Sequence, residues 1–299
     1  MTDERAQDTD RRQPIRKGKG VWKGLLWHAR RKPLGAVAAF ILLVLVVTAI
    51  CTPLLAPHDP YKQSFRAWLQ PPSQQYLLGT DTIGRDLLSR IIYGARISLG
   101  IGLVATCIGT LCGTFIGLVS GFWGGKLDLL LQRLIDCLLS FPTLILALAI
   151  VAVLGSSITN VVLAIAIVQT PRVSRIVRGN ALIVKEEAYI EAARAIGCRS
   201  WRILMRYLLP NVMAPIVVVA SINLGNAIVI EAALGFLGLG TPPPIPSWGE
   251  MLSGAGKQYM VYAPWLAIFP GVAISLAVLG FNLLGDALRD ILDPRLRGT

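Results

Sequence analysis

Long apolar runs separated by short polar segments set the architecture of this chain. The stretches Gly35 to Ala56, Ile97 to Trp123, Cys137 to Gly155, Ser157 to Val177, Val212 to Phe236 and Ala263 to Gly285 each approach the roughly 20 residues that cross a hydrocarbon core. The fold expected is therefore all-α, a membrane protein with six transmembrane helices. The fourth stretch is uncharged only from Ser157 to Pro171, so Arg172 and Arg175 are expected at or just beyond the interface, reached by snorkelling.

Polar segments between these runs have patterns of their own. Lys126 to Ser140 places Leu127, Leu130, Leu131, Leu134 and Leu138 at helical spacing. This predicts a short inner amphipathic helix with an Arg133–Asp136 pair, feeding the third span through Phe141-Pro142. In the second span Gly109, Gly113, Gly117 and Gly121 recur every four residues, a face on which another helix can approach closely. The external loop ends in Gly79 to Arg90, which reads as a turn, an N-cap at Asp81 or Thr82, and an amphipathic helix lying flat at the outer interface. That helix is either a structural elbow or a receptor contact. The Pro- and Gly-rich segment from Gly238 to Ala263 reads as a stiff lid folded over the pore mouth, or as a gate or receptor contact.

Composition agrees with a bilayer protein: 54% of residues are hydrophobic and only 15% charged. The net charge of +12 does not imply nucleic acid, because the basic residues flank apolar runs rather than cluster on one face. Of the 29 Lys and Arg, all but Lys62, Arg66, Arg85, Arg90, Arg96 and Lys257 fall on one side if the N-terminus is cytoplasmic. The positive-inside rule thus orients the chain N-in and C-in. The first run is longer than a signal-peptide core and no small-x-small site follows it, so it is expected to be an uncleaved anchor. Before it, Trp22, Leu25, Leu26 and Trp27 suggest an interfacial helix in an otherwise disordered basic tail. The 5 Cys and 2 His show no metal-ligand or CxxC spacing, so no metal site is expected.

The segment from Lys185 to Pro210 is the exception in an apolar chain. Lys185 to Ile196 is rich in good helix formers, Gly197 fits a left-handed helix stop, and Ser200 can cap a second helix from Trp201. The product is a helix-turn-helix bracket outside the bilayer. Glu191 beside small Ala192 and Ala193 leaves a surface that a groove on another protein can accept closely.

This bracket resembles the EAA loop of the membrane subunits of ATP-binding cassette (ABC) importers, which in that family forms the coupling helix docked into a cleft on the ATPase. Glu191, Ala192, Ala193, Gly197, Leu209 and Pro210 match, whereas Tyr207 stands at an aliphatic position. Gly79-Thr80-Asp81 with Gly84-Arg85-Asp86, Glu231-Ala232-Ala233-Leu234, Pro246-Ser247-Trp248-Gly249 and Asn282-Leu283-Leu284-Gly285-Asp286 are, in this order, similar to the second permease subunit of dipeptide, oligopeptide and nickel importers. The resemblance implies a type I ABC importer transmembrane domain over 96–286, with its coupling loop at 185–210. The first span and external loop would occupy 33–95, between a cytoplasmic tail at 1–32 and another at 287–299. It further implies a heterodimer with a second homologous permease subunit, two cytoplasmic ATPases and an external solute-binding protein, all at the cytoplasmic (inner) membrane.

The chain would form half of a pore, bind no cofactor and catalyse nothing. It has no GxxxxGK[ST] phosphate cradle, so ATP and Mg would be used by the partner subunits. Di- and oligopeptides are the first substrate expected, with nickel complexes or another small solute as the alternative. A secondary transporter would need paired half-repeats and ion-coupling charges, and a membrane enzyme a catalytic constellation; neither is apparent. A membrane scaffold would leave the EAA loop unexplained. Within the spans, Glu231, Asn223 and Asn226 are the substrate-path candidates, each weighed against a helix-packing role. Asn160, Gln169 and Asn282 are lesser ones.

Overall fold

Residues 33–253 and 258–292 are described by the computed structural model of the chain. The interfacial segment around Trp22 to Trp27, the position of Lys257 and the end of the C-terminal tail lie outside them. Among the described residues, the helices Leu87–Trp123, Ile158–Val184, Ser200–Phe236 and Trp265–Leu292 are long and apolar enough to cross a membrane. A bent pair makes a fifth if counted as one span, and Leu34–Ile50 is a shorter apolar helix.

Helix α1 (Pro33–Ile50) stops short of the predicted Ala56, and α2 (Thr52–Leu55) follows after a break at Cys51. Pro53 has no N–H for the carbonyl of Ala49, and the Thr52 hydroxyl donates to that carbonyl instead at 2.9 Å. Helix α3 (Leu87–Trp123) is capped by Asp86, whose carboxylate accepts from the Ser89 N–H at 2.9 Å. The cap is therefore neither Asp81 nor Thr82. Asp81 instead accepts from the Ile83 and Arg85 amides, closing a turn around Gly84 at φ 73°. A Cβ there would lie 1.9 Å from the Ser64 carbonyl oxygen, so the turn requires glycine. No breaker follows Leu87, and the segment predicted to lie flat is the first part of one 37-residue helix. The boundary placed between residues 95 and 96 falls inside it.

The glycine stripe of α3 packs on α6 (Ile158–Val184). A Cβ on Gly113 would meet the Thr170 carbonyl oxygen at 2.7 Å, and one on Gly117 the Ser174 carbonyl oxygen at 2.5 Å. Backbones this close maximise dispersion contact where lipid supplies no hydrophobic drive between helices. Between them, α4 (Gly125–Leu139) meets α5 (Thr143–Leu154) at 91° across Ser140-Phe141-Pro142. The apolar run predicted from Cys137 is thus broken: Pro142 separates the end of α4 from the 12-residue α5, and only the bent pair together is long enough to count as a span.

The Arg133–Asp136 pair is not formed. Asp136 pairs with Arg175 of α6, and Arg178 makes a fork to both oxygens of Asp128 at 2.6 Å. Helix α4 lies alongside α6, so a partner across the seam displaces the one in its own helix. Helix α6 passes Pro171 without ending and runs to Val184.

Beyond α6 come α7 (Ala188–Ala195), α8 (Ser200–Ile203) and, through a π turn at Leu204–Leu208, α9 (Leu209–Phe236). A short α10 (Trp248–Leu252) tucks against α9, and α11 (Trp265–Leu292) packs along both α9 and α1, extending past the Gly285 expected as its end.

Gly113→Val is expected to destabilise the fold by about 1–3 kcal/mol through overpacking of the α3–α6 seam. Gly100→Val, where an added Cβ meets nothing within 4 Å, is expected to be neutral. Thermal unfolding of the detergent-solubilised protein measures both.

Candidate functional site

The bracket after α6 is built by local chemistry. Its first helix, α7, ends in a Schellman motif: the Cys198 N–H donates to Ala193 O at 3.0 Å and the Gly197 N–H to Arg194 O at 2.9 Å. Gly197 takes φ 77°, a left-handed conformation that L side chains adopt only with strain. Helix α7 is shorter than the predicted Lys185 to Ile196, because residues 185–187 close a turn off α6. Ser200 is not the cap of the second helix. Arg199 holds that position without a side-chain bond, and Ser200 is the first helical residue.

The bracket folds on its own small core. Ile190, Ala193 and Ile203 are buried together, with Phe122 of α3, Cys198 and Tyr207 packed against them. The aromatic ring at the aliphatic position therefore has a place. Arg194 lies over the Phe122 ring at 5.7 Å, a cation–π contact to the end of α3. The six motif residues divide between two faces. Ala193 is buried and Leu209 half-buried inside, whereas Glu191, Ala192, Gly197 and Pro210 are exposed. Glu191 stands in the first turn of α7, where the helix dipole favours a carboxylate. Ile196 and Trp201 add exposed apolar surface beside it. Pro210 lies in the first turn of α9, where the bracket enters that span. Residues 200–236 run as one helix, and the π turn just before the proline is where the regular bonding pattern shifts.

A second feature lies between the ends of α4 and α5 and the faces of α6 and α9, where a 390 Å³ cavity is lined by Thr143, Gln169, Arg172, Asn223 and Asn226 among apolar neighbours. Two of the predicted path residues, Asn223 and Asn226, are thus on its wall. Glu231 is not. It is fully buried in the seam between α9 and the α10 segment, and its oxygens have no partner at standard hydrogen-bond geometry. The Ser98 and Ser247 hydroxyls face it. Each already accepts a backbone N–H, from Trp248 and Glu250 respectively, leaving its own proton free for the carboxyl. Small residues make this seam possible: a Cβ on Gly249 would sit 2.7 Å from Ala232 Cα.

A third feature was missed by sequence reasoning. Arg90, 2% exposed, bonds Glu250 at 2.7 Å and approaches Asp81 at 3.7 Å, while Arg85 pairs with Asp81 at 2.6 Å. Burial holds the Glu250 carboxyl above its usual range, and the Arg90 and Arg85 charges offset only part of that rise. Trp248 Nε1 donates to Ile91 O at 3.0 Å and Trp265 Nε1 to Thr80 O at 3.2 Å. Together these contacts tie the external loop, the start of α3, α10 and the start of α11 into one cap. The charges of the Gly84-Arg85-Asp86 region were visible, but their partner Glu250 lies 160 positions from Arg90.

Residues 113–298 match the family of binding-protein-dependent transport system inner membrane components, and residues 20–72 match the N-terminal transmembrane domain of oligopeptide transport permease C. The chain belongs to this family of ABC importer permeases. It is 43% identical to the dipeptide transport system permease protein DppC of Alkalihalophilus pseudofirmus over 276 residues, 92% of this chain and 90% of that one. It is 42% identical to the glutathione transport system permease protein GsiD of Pectobacterium atrosepticum, with 95% of both chains covered. A probable D,D-dipeptide permease, DdpC of Escherichia coli, is 41% identical, with 92% of each chain covered. In solved structures the fold is similar to the MetNI methionine ABC transporter in an inward-facing conformation, with TM-score 0.58 at 20% identity over 69% of this chain and 98% of that one. Permeases of this family are multi-pass pore components rather than catalysts and work with ATPase subunits and a binding protein.

In this permease, Glu250→Ala is expected to cost about 3 kcal/mol by leaving the buried Arg90 with only Asp81, which it shares with Arg85. Asp136→Ala, at a pair roughly half exposed on both sides, is expected to cost no more than about 1 kcal/mol. Thermal midpoints of the two variants separate the cases.

Proposed function

We propose that this chain is one half of the translocation pathway of an ATP-driven importer of di- and oligopeptides, working by alternating access. In this reading α1 counts as a sixth span and both termini face the cytoplasm. A second homologous permease completes the pore, two ATPases dock below it, and an external binding protein delivers substrate. The observation that carries the reading is the exposed face of α7, bearing Glu191 and Ala192 on a bracket whose reverse side is packed onto the end of α3. A knob that is open on one side and braced on the other transmits force. Relatives that span nearly the whole chain are named for dipeptide and glutathione transport, which supports peptides as the substrate class.

The roles follow from position. Glu191 and Ala192 form the surface that enters the ATPase cleft. Ala193 fastens α7 to Ile203, Gly197 sets the angle of the bracket, and Leu209 and Pro210 join it to α9. Because residues 200–236 form one helix, displacement of α7 is delivered along α9 to the level of Asn223 and Asn226. Each of the two states is stabilised by its own set of contacts, which is what an ATP-driven switch requires.

Glu191→Lys and Gly197→Pro are expected to lower ATP-driven dipeptide uptake at least tenfold in the reconstituted transporter, with the subunit still inserted in the membrane. Uptake at the wild-type rate by either variant would falsify the coupling role.

A further inference from the structure

We propose that the cavity between α5, α6 and α9 is a recognition site for a peptide carboxy terminus, with Arg172 taking the carboxylate and the Gln169 and Asn223 amides binding the adjoining peptide unit. This deepens the peptide-import reading and rests on it.

The cationic side is set by contrast between three arginines on α6. Arg175 and Arg178 are paired with Asp136 and Asp128. Arg172, a turn earlier, makes no ion pair among the described residues, is exposed, and is the charged residue on the cavity wall. It stands roughly 21 Å along α6 from Ile158 at a rise of 1.5 Å per residue, well inside the helix rather than at its end. An exposed guanidinium on a cavity wall, with no resident counter-ion, is suited to an anionic group that passes through. A guanidinium fork matches a carboxylate at two points.

The amide side follows from donor and acceptor bookkeeping. Gln169 and Asn223 are both nearly fully buried. Gln169 Nε2 donates to the Asn223 backbone carbonyl at 2.9 Å. That carbonyl can only accept, which fixes the amide orientation and leaves Gln169 Oε1 as an acceptor with no donor. Asn223 Nδ2 is likewise a donor with no acceptor. Both residues line the cavity while these two atoms are covered, so a turn of each side chain would present one acceptor and one donor to the N–H and C=O of a single peptide unit. Gln169 and Arg172 share a face of α6 at i,i+3 spacing, which puts the amide and the cation on the same wall. The 390 Å³ volume is within the usual range for small-molecule sites.

The test uses the complete reconstituted transporter and compares uptake of a dipeptide with uptake of its C-terminal amide. The same binding protein serves every variant, so its own preference cancels in the comparison. Arg172→Met is expected to lower uptake of the free-carboxylate peptide at least tenfold and to bring its rate close to that of the amide. Arg172→Lys should recover part of the preference, and Gln169→Leu should slow both peptides without changing their ratio. Arg172→Gln replaces Arg172→Met if the latter does not assemble. A wild-type ratio in the charge-removing variant overturns the proposal while peptide import stands. If the wild-type assembly takes up neither peptide, the import reading falls, and the proposal falls with it.

Discussion

The close approach of α3 and α6 is the constraint on which the rest of this structure depends. In a bilayer, lipid tails are as apolar as leucine, so two helices associate through fit, and fit here means a glycine every fourth residue. With Gly109, Gly113, Gly117 and Gly121 against the backbone of α6, the two helices act as one rigid body. The inner amphipathic helix α4 is then held against that body by Asp128 on Arg178 and Asp136 on Arg175. Its exposed leucines, among them Leu127, Leu130 and Leu134, are left facing outward.

The same seam places the coupling bracket. Phe122 at the end of α3 packs both against the core containing Val177, Ala181 and Leu204 and against that containing Ile190, Ala193 and Ile203. Motion of α7 therefore reaches α3 through one aromatic side chain and reaches α9 through a continuous helix. At the opposite end, the Arg90–Glu250 pair and the two tryptophan N–H bonds hold the external loop, α10 and α11 together. The cavity with Asn223 and Gln169 lies between these two rigid ends.

Polar groups inside the spans divide by what surrounds them. Glu231 is enclosed by small residues of the α9–α10 seam with two hydroxyls facing it, an arrangement that fixes packing. Gln169 Nε2 donates to the Asn223 backbone carbonyl, and Gln169 Oε1 and Asn223 Nδ2 are left without a partner in residues that line a cavity. Burial alone does not distinguish these cases; the difference is whether the residue lines a cavity, as Gln169 and Asn223 do and Glu231 does not.

The sequence by itself determined whatever short-range chemistry controls. Apolar length and the glycine repeat placed most of the spans and their packing face, Gly197 located the helix stop, and the Glu191 motif located the knob. Tertiary structure decided what depends on partners distant in the chain. Asp136 found Arg175 rather than Arg133 because α4 lies along α6, and Arg90 found Glu250 across a loop no local rule could fold. Asp86 displaced Asp81 as the cap once the turn at Gly84 had used the Asp81 carboxylate. Which of Glu231, Asn223 and Asn226 meets a cavity depended on the rotation of α9 against its neighbours, and helical periodicity within one segment carries no information about which face those neighbours will cover.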